Sequence, residues 1–355
     1  MIGPSPYVLI NMGARYQPCM HNMHNVTDYP EIIYWPCPNA TSLTGQECTL
    51  SDLCGFNGVP TPKPNGSLTD RPAPNQWWRF IVPIFLHAGF IHIGFNLLLQ
   101  LTLGRDMERK IGHVRFIIVY FASGIFGFVL GGNFAANGIA STGCSGSLFG
   151  ILALDLLDLL YFWRERPGPI KDLMFILVDI AISFVLGLLP GLDNFSHIGG
   201  FLTGLVLGIC ILRSPAAFSH ELEDEVAYDS MNDASKGWTK FMRQPVRFFQ
   251  GRKPAWWIWW FIRAGALIGI IVGFILLLKN FYVWQNGCSW CKYLSCLVRC
   301  LVCPCISLQT NAEQNINNWC SIGYLSFSDT SSQKRNLLEL TKEVFEQPVT
   351  AVFFG

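Results

Sequence analysis

The chain has 355 residues, of which 51% are hydrophobic and only 14% charged, and its mean hydropathy is positive. Soluble domains carry roughly 25% charged residues, so the composition argues for a polytopic membrane protein and against an ordinary soluble domain. The formal net charge is +1 with no basic block or arm, which argues against nucleic acid as a partner.

Residues 1–78 come first. The stretch "YVLINMG" is too short and too broken to be a signal-peptide core or a span. The region carries three glycosylation sequons, at Asn25, Asn39 and Asn65, and four cysteines, Cys19, Cys37, Cys48 and Cys54. An even cysteine count in an oxidising compartment suits two disulfides, with the pairing left open. Delivery of this region to a lumen requires either a span upstream of Met1, which is the preferred reading, or translocation by the first visible span.

Six apolar runs of near-spanning length follow, at about Phe80–Leu103, Phe116–Gly132, Gly143–Phe162, Leu173–Leu189, Phe195–Leu212 and Trp256–Leu278. The last opens on "WWIWWF", an interfacial aromatic anchor, and Arg263 just inside it can snorkel to the same surface. Arg105, Arg109, Lys110 and Arg115 follow the first run, and Arg164, Arg166 and Lys171 follow the third. The segment from Arg213 to Ala255, read as a solvated linker, holds seven Lys or Arg, whereas the loops "NFAANGIAST" and "PGLDN" hold none. The positive-inside rule then makes the basic segments cytosolic and leaves residues 1–78 and 279–355 on the lumenal or outer side. The tail has an odd set of cysteines: Cys288, Cys291, Cys296, Cys300, Cys303, Cys305 and Cys320. Three of them lie in "LVRCLVCPCISLQTNAEQ", which breaks the character of its surroundings and is read as retained intron sequence. A zinc site is the alternative, although a lumen favours disulfides.

Polar groups inside spans are costly and are functional candidates by default. In the first run, "HAGFIHIGFN" puts His92 and Asn96 four apart on one helix face, where both can donate hydrogen bonds to an oxyanion. His87 is expected higher and rotated away, and interhelical bonding is the plain alternative for the pair. In the third run, Ser145 stands in "GCSG" at a helix start, where free N–H groups favour developing negative charge. Gly143 and Gly146 leave its hydroxyl uncrowded, and Gly146 with Gly150 would also serve simple helix packing. In the fifth run, His197 stands in "NFSHIGGFLTGLVLG" above a smooth stripe of Gly200, Gly204 and Gly208. The third and fifth runs point the same way, so Ser145 and His197 are expected at similar depth and within reach of each other. A serine beside a histidine is an activated nucleophile. No carboxylate is well placed as a third member: Asp155 and Asp179 lie too deep, and Asp193 reads as part of a turn. A Ser–His dyad is expected, with Asp155, Asp158 and Asp179 structural.

The motifs "WWRF", "HAGFIHIGFN", "GRDMERKIG", "GCSG" and "SHIGGFLTG", in this order between about Trp77 and Leu212, resemble the rhomboid intramembrane serine proteases, and most of all their eukaryotic secretase-type branch. The opening "MIGPSPYVLINMGARY" is similar to the first lumenal loop of fungal members. The resemblance implies an all-α polytopic bundle: core helices two to six plus an added seventh, with the family's first helix expected ahead of Met1. It divides the chain into a lumenal loop region (1–78), a protease core (79–212), a cytosolic linker (213–255), an additional span (256–278) and a lumenal tail (279–355). It implies Ser145 as nucleophile, His197 as general base, and His92, Asn96 and the Ser145 N–H as the oxyanion hole. Trp78 and Arg79 match a motif that shapes the lumenal surface, and Phe149 holds the place of an aromatic that stacks near the histidine. The implied activity is cleavage of single-pass membrane proteins within the bilayer, near the lumenal end of their transmembrane segment, in a membrane of the secretory route. No metal or cofactor is implied. Two other readings stand beside it. One is an inactive relative that binds membrane clients, against which intact Ser145 and His197 argue. The other is a transporter using the three aspartates, which predicts internal repeats that the sequence lacks.

Overall fold

The computed structural model describes residues 3–39, 47–187, 193–212, 254–288 and 290–291, apart from the side chains of 185–187 and 255. The basic linker and the tail cysteines from Cys296 onward lie outside the described residues.

The chain opens with a small layer that sits over one end of a helical bundle. Helix α1 (Pro6–Met12) starts on Ser5, whose hydroxyl accepts the Val8 N–H at 3.3 Å, and has proline in its first turn, where a missing N–H costs nothing. It stops at Gly13, whose φ of 112° puts it in the left-handed region that glycine tolerates. Strands β1 (Trp35–Pro36) and β2 (Glu47–Cys48) pair antiparallel. Helix α2 (Leu50–Cys54) is held by a capping box between Thr49 and Asp52. Disulfides join Cys19 to Cys54 and Cys37 to Cys48. Ile10, Tyr16, Trp35, Leu50 and Leu53 fill the interior of this layer.

The bundle holds α3 (Phe90–Leu99), which runs through a π-helical turn (Gln100–Gly104) into α4 (Arg105–Ile111), then α5 (His113–Phe134), α6 (Ser145–Tyr161), α7 (Pro169–Gly187), α8 (Asn194–Ile211) and α9 (Pro254–Lys279). Among the described residues, three stretches are long and apolar enough to cross a bilayer: His113–Phe134, Asn194–Ile211 and Trp256–Trp284. The other three expected spans are less regular. Helix α6 has 17 residues, and α7 carries Lys171, Asp172 and Asp179 among its 19.

The first expected span requires correction. The run from Phe80 is not helical to its start. It consists of two 3-10 turns (Trp77–Phe80 and Val82–Phe85) and a non-helical passage, and the α-helix begins only at Phe90. Pro83 cannot donate a helical hydrogen bond, and Gly89 has a φ of 140°, so hydropathy continues where helical backbone does not. His92 therefore lies in the first turn of α3.

Helices α5, α6 and α8 form the centre. A Cβ at Gly200 would lie 2.0 Å from the Gly146 carbonyl oxygen, and one at Gly204 would lie 2.3 Å from that of Gly150, so α8 and α6 touch backbone to backbone. Helix α9 is fastened to α5 by Asn280, which donates to the Asn133 side-chain oxygen at 2.8 Å. Just beyond α9, Phe281 is buried against Phe80, with ring centroids 5.1 Å apart. A further disulfide joins Cys288 to Cys291 beside Ala135 and Phe195. At the opposite end of the bundle, Lys110 pairs with Asp155 at 3.5 Å and Asp158 at 3.1 Å, and Arg166 reaches Asp158 at 2.6 Å. These two aspartates thus tie α4 and the segment after α6 to α6.

Candidate active site

Ser145 is the first residue of α6 and His197 lies in the first turn of α8. The close glycine contacts of the two helices bring them together, with Ser145 Oγ 2.8 Å from His197 Nε2. The imidazole is buried, and its ring stacks on Phe149 with centroids 4.6 Å apart and planes inclined by 18°. Its Nδ1 has no hydrogen-bond partner among the described residues, so no described carboxylate orients the ring. The stacked phenyl ring and burial hold it instead.

Gly143 shapes the approach to the serine. Its φ is 117°, and a Cβ there would lie 2.7 Å from His92 Nε2, so both backbone and space demand glycine. His92 Nδ1 accepts the Ala88 N–H at 3.2 Å. In a neutral ring this leaves the proton on Nε2, the atom beside Gly143, as a donor pointing into the site. Asn96, one turn further on and buried, donates to the His92 carbonyl at 2.9 Å. The serine N–H belongs to the first turn of α6, where backbone donors have no intrahelical acceptor.

One expectation about the surroundings is corrected. His87 is not turned away: its ring centroid is 5.2 Å from that of His92, and its Nε2 lies 3.6 Å from Cys144 Sγ. The passage from Leu86 to Gly89 is not helical, so helical angles do not apply to it. Arg79 organises the opening layer from within. It is fully buried and donates to the carbonyls of Ile10, Ala14 and Cys54 at 2.6–2.7 Å and to the Gln76 side-chain oxygen at 2.6 Å. Trp78 lies beside it, its ring 5.0 Å from the guanidinium and packed over Gly13. The Trp78–Arg79 pair is a hub that fixes the opening layer onto the bundle.

Two residues near the site have roles that the sequence did not reveal: Asp193, expected only in a turn, and Arg15. Asp193 caps α8, accepting the Ser196 N–H at 3.2 Å and its hydroxyl at 2.6 Å, and it also receives Arg15 Nη2 at 2.9 Å. "DNFS" has the form of a helix cap, which is the local signal available for Asp193. Arg15 has no such signal. Among the described residues, no group of three or more His, Cys, Asp or Glu is arranged to hold a metal ion.

A helical bundle with, among the described residues, three helices long and apolar enough to cross a membrane and a serine against a histidine narrows the class, and sequence comparison completes it. The Rhomboid domain family model matches residues 74–214. RHOMBOID-like protein 2 of Arabidopsis thaliana is 30% identical over 278 residues, which cover 73% of this chain and 80% of that protein. The chain belongs to the rhomboid family. It is also similar to Rhomboid-type serine protease 2 of Emericella nidulans, at 52% identity over 345 residues and 92% of this chain. The chain spans 65% of the length of that fungal relative. Inactive rhomboid protein 1 of Homo sapiens is 29% identical over 256 residues, covering 72% of this chain and 25% of the human protein.

Proposed function

We propose that this chain is an intramembrane serine endopeptidase that cuts single-pass membrane proteins within their transmembrane segment, near its lumenal end. The reading rests on one observation, the 2.8 Å contact between Ser145 Oγ and His197 Nε2 at the starts of two helices in backbone contact. Ser145 Oγ attacks the peptide carbonyl carbon as His197 Nε2 takes its proton. The carbonyl oxygen becomes an oxyanion that the Ser145 N–H, His92 Nε2–H and the Asn96 amide receive. Collapse breaks the C–N bond, and the proton passes from His197 to the departing amine. Water, deprotonated by His197, then releases the acyl group from Ser145.

The topology that accompanies this reading has six spans, with the active site opening to the lumenal side of a secretory-route membrane. Residues 1–78 form the lumenal region, glycosylated at Asn25, Asn39 and Asn65. Residues 79–212 form the protease core, 213–255 a cytosolic linker, 256–278 the added span and 279–355 the lumenal tail. The short α6 can complete such a bundle because Asp155 and Asp158 pair with Lys110 and Arg166, and Lys171 and Asp172 of α7 lie in its first turn, at the cytosolic end in this reading.

Labelling in membranes by a fluorophosphonate probe tests the reading without knowledge of the substrate. The unmutated chain is expected to label, and Ser145→Ala and His197→Ala to abolish labelling. An unlabelled parent chain would instead favour the second reading, an inactive relative that binds membrane clients, for which the similarity to Inactive rhomboid protein 1 is the supporting observation.

A further inference from the structure

The loop ahead of Ser145 and the start of the His197 helix are fastened to the same residue. The Arg15 N–H donates to the Ser141 carbonyl at 3.0 Å, and the Ser141 N–H returns to the Arg15 carbonyl at 3.0 Å, forming an isolated antiparallel bridge. Ser141 lies one short loop before Ser145. The Arg15 side chain turns to the other half of the site, where its Nη2 donates to Asp193 Oδ2 at 2.9 Å. The two side chains are 0% and 2% exposed. Asp193 holds the first turn of α8 through Ser196, the residue before His197. Arg15 is itself fixed by its neighbour Ala14, whose carbonyl accepts Arg79 Nη1 at 2.6 Å. One residue thus grips the serine side by its backbone and the histidine side by its side chain.

A buried charge that loses its partner is strongly disfavoured, so this pair tolerates little relative movement of its two ends. Displacement of about 1 Å between reacting groups can cost about a hundredfold in rate. We propose that Arg15 is a positioning residue: its ion pair with Asp193 sets the separation of Ser145 and His197. The inference rests on the reading of those two residues as nucleophile and base. The plain alternative is that Arg15 merely stabilises the opening layer, which would lower the unfolding temperature and leave the rate per folded molecule unchanged.

The test uses the full chain and the rate of Ser145 labelling by fluorophosphonate, divided by the folded fraction from thermal unfolding of the same sample. Asparagine caps helices as well as aspartate, so Asp193→Asn removes the charge while keeping the cap. Arg15→Gln and Asp193→Asn are each expected to slow labelling by roughly tenfold or more per folded molecule. The double variant should be no slower than the worse single one, because both changes break the same link. Arg15→Lys, which keeps the charge, should recover part of the rate. Unchanged rates in the single variants, or losses that multiply in the double variant, overturn the inference. If Arg15→Gln does not fold, Asp193→Asn decides by the same rate criterion. A parent chain that does not label, or that labels equally with Ser145→Ala, overturns the reading of the site and this inference with it. A parent that labels through Ser145 while the Arg15 and Asp193 variants match it overturns the inference alone.

Discussion

Adding one methyl group at Gly200 should separate the serine from the histidine. A Cβ at this position would lie 2.0 Å from the Gly146 carbonyl oxygen and 2.7 Å from its carbonyl carbon. Carbon-to-oxygen contacts settle at about 3.3 Å or more, so the two helices must part by about 1.3 Å. The obstacle is backbone and cannot rotate aside. Gly146 adjoins Ser145, and Gly200 is one turn below His197, so the same movement stretches the 2.8 Å contact between them to about 4 Å, beyond hydrogen-bond reach. Gly200→Ala should therefore lose about a hundredfold in labelling rate at Ser145 and about 1–3 kcal/mol of stability through overpacking. Gly146→Ala, whose Cβ would meet the Ser196 carbonyl oxygen at 3.1 Å, should lose less. Gly269→Ala on α9, with nothing within 4 Å, should lose nothing in labelling. The assay is fluorophosphonate labelling followed over time, with thermal unfolding in detergent on the same samples. Labelling of Gly200→Ala at the parent rate would refute the claim that backbone contact between α6 and α8 sets the site.

Further outcomes follow from other features. Phe149→Leu removes the ring stacked on His197, and with such pairs contributing about 0.5–1.5 kcal/mol, labelling should slow several-fold; an unchanged rate would mean that the ring does not hold the imidazole. Burial pushes the His21 imidazole down to about 4 from 6.5, so its proton binds the unfolded chain more readily. Stability is then full above pH 6.5 and falls as pH drops towards 4, by up to about 3 kcal/mol; thermal unfolding between pH 7.5 and 5 should show the slope, and His21→Asn should flatten it. The Cys19–Cys54 bridge closes a separation of 35 residues and Cys37–Cys48 one of 11, so chain entropy assigns them about 4 and about 3 kcal/mol. Cys19→Ala should accordingly lower the unfolding temperature more than Cys37→Ala, and the reverse order would show that loop closure does not govern their contributions.

The helix starts at Ser145 and Asn194 were legible within two residues from where the apolar runs begin, whereas the capping role of Asp193 was passed over as a turn. The closeness of α6 to α8 was also legible, since glycines at helical spacing leave a smooth face. The region from Phe80 to Gly89 was misread because hydropathy measures side chains and says nothing of a proline without an N–H or a glycine at positive φ. His87 was misplaced for the same reason, as a helical wheel was applied to residues that form no helix. The partners of Arg79 were not legible, because three of its four oxygen acceptors, the carbonyls of Ile10, Ala14 and Cys54, come from distant segments. The link between Arg15 and Asp193 had no sequence signal, since each residue is ordinary among its neighbours and only the fold brings them together.

That link also orders events in time. Arg15 and Asp193 are 178 positions apart, and Asn22 and Gln285, joined at 3.0 Å, are 263 apart. At roughly 5–20 residues per second of synthesis, the arginine waits roughly ten seconds or more for its carboxylate, and Asn22 longer for its glutamine. The opening layer can close its disulfides early, yet it cannot seat until the helices it rests on have been made. A segment made well before the helices it rests on is thus among the last to reach its final position.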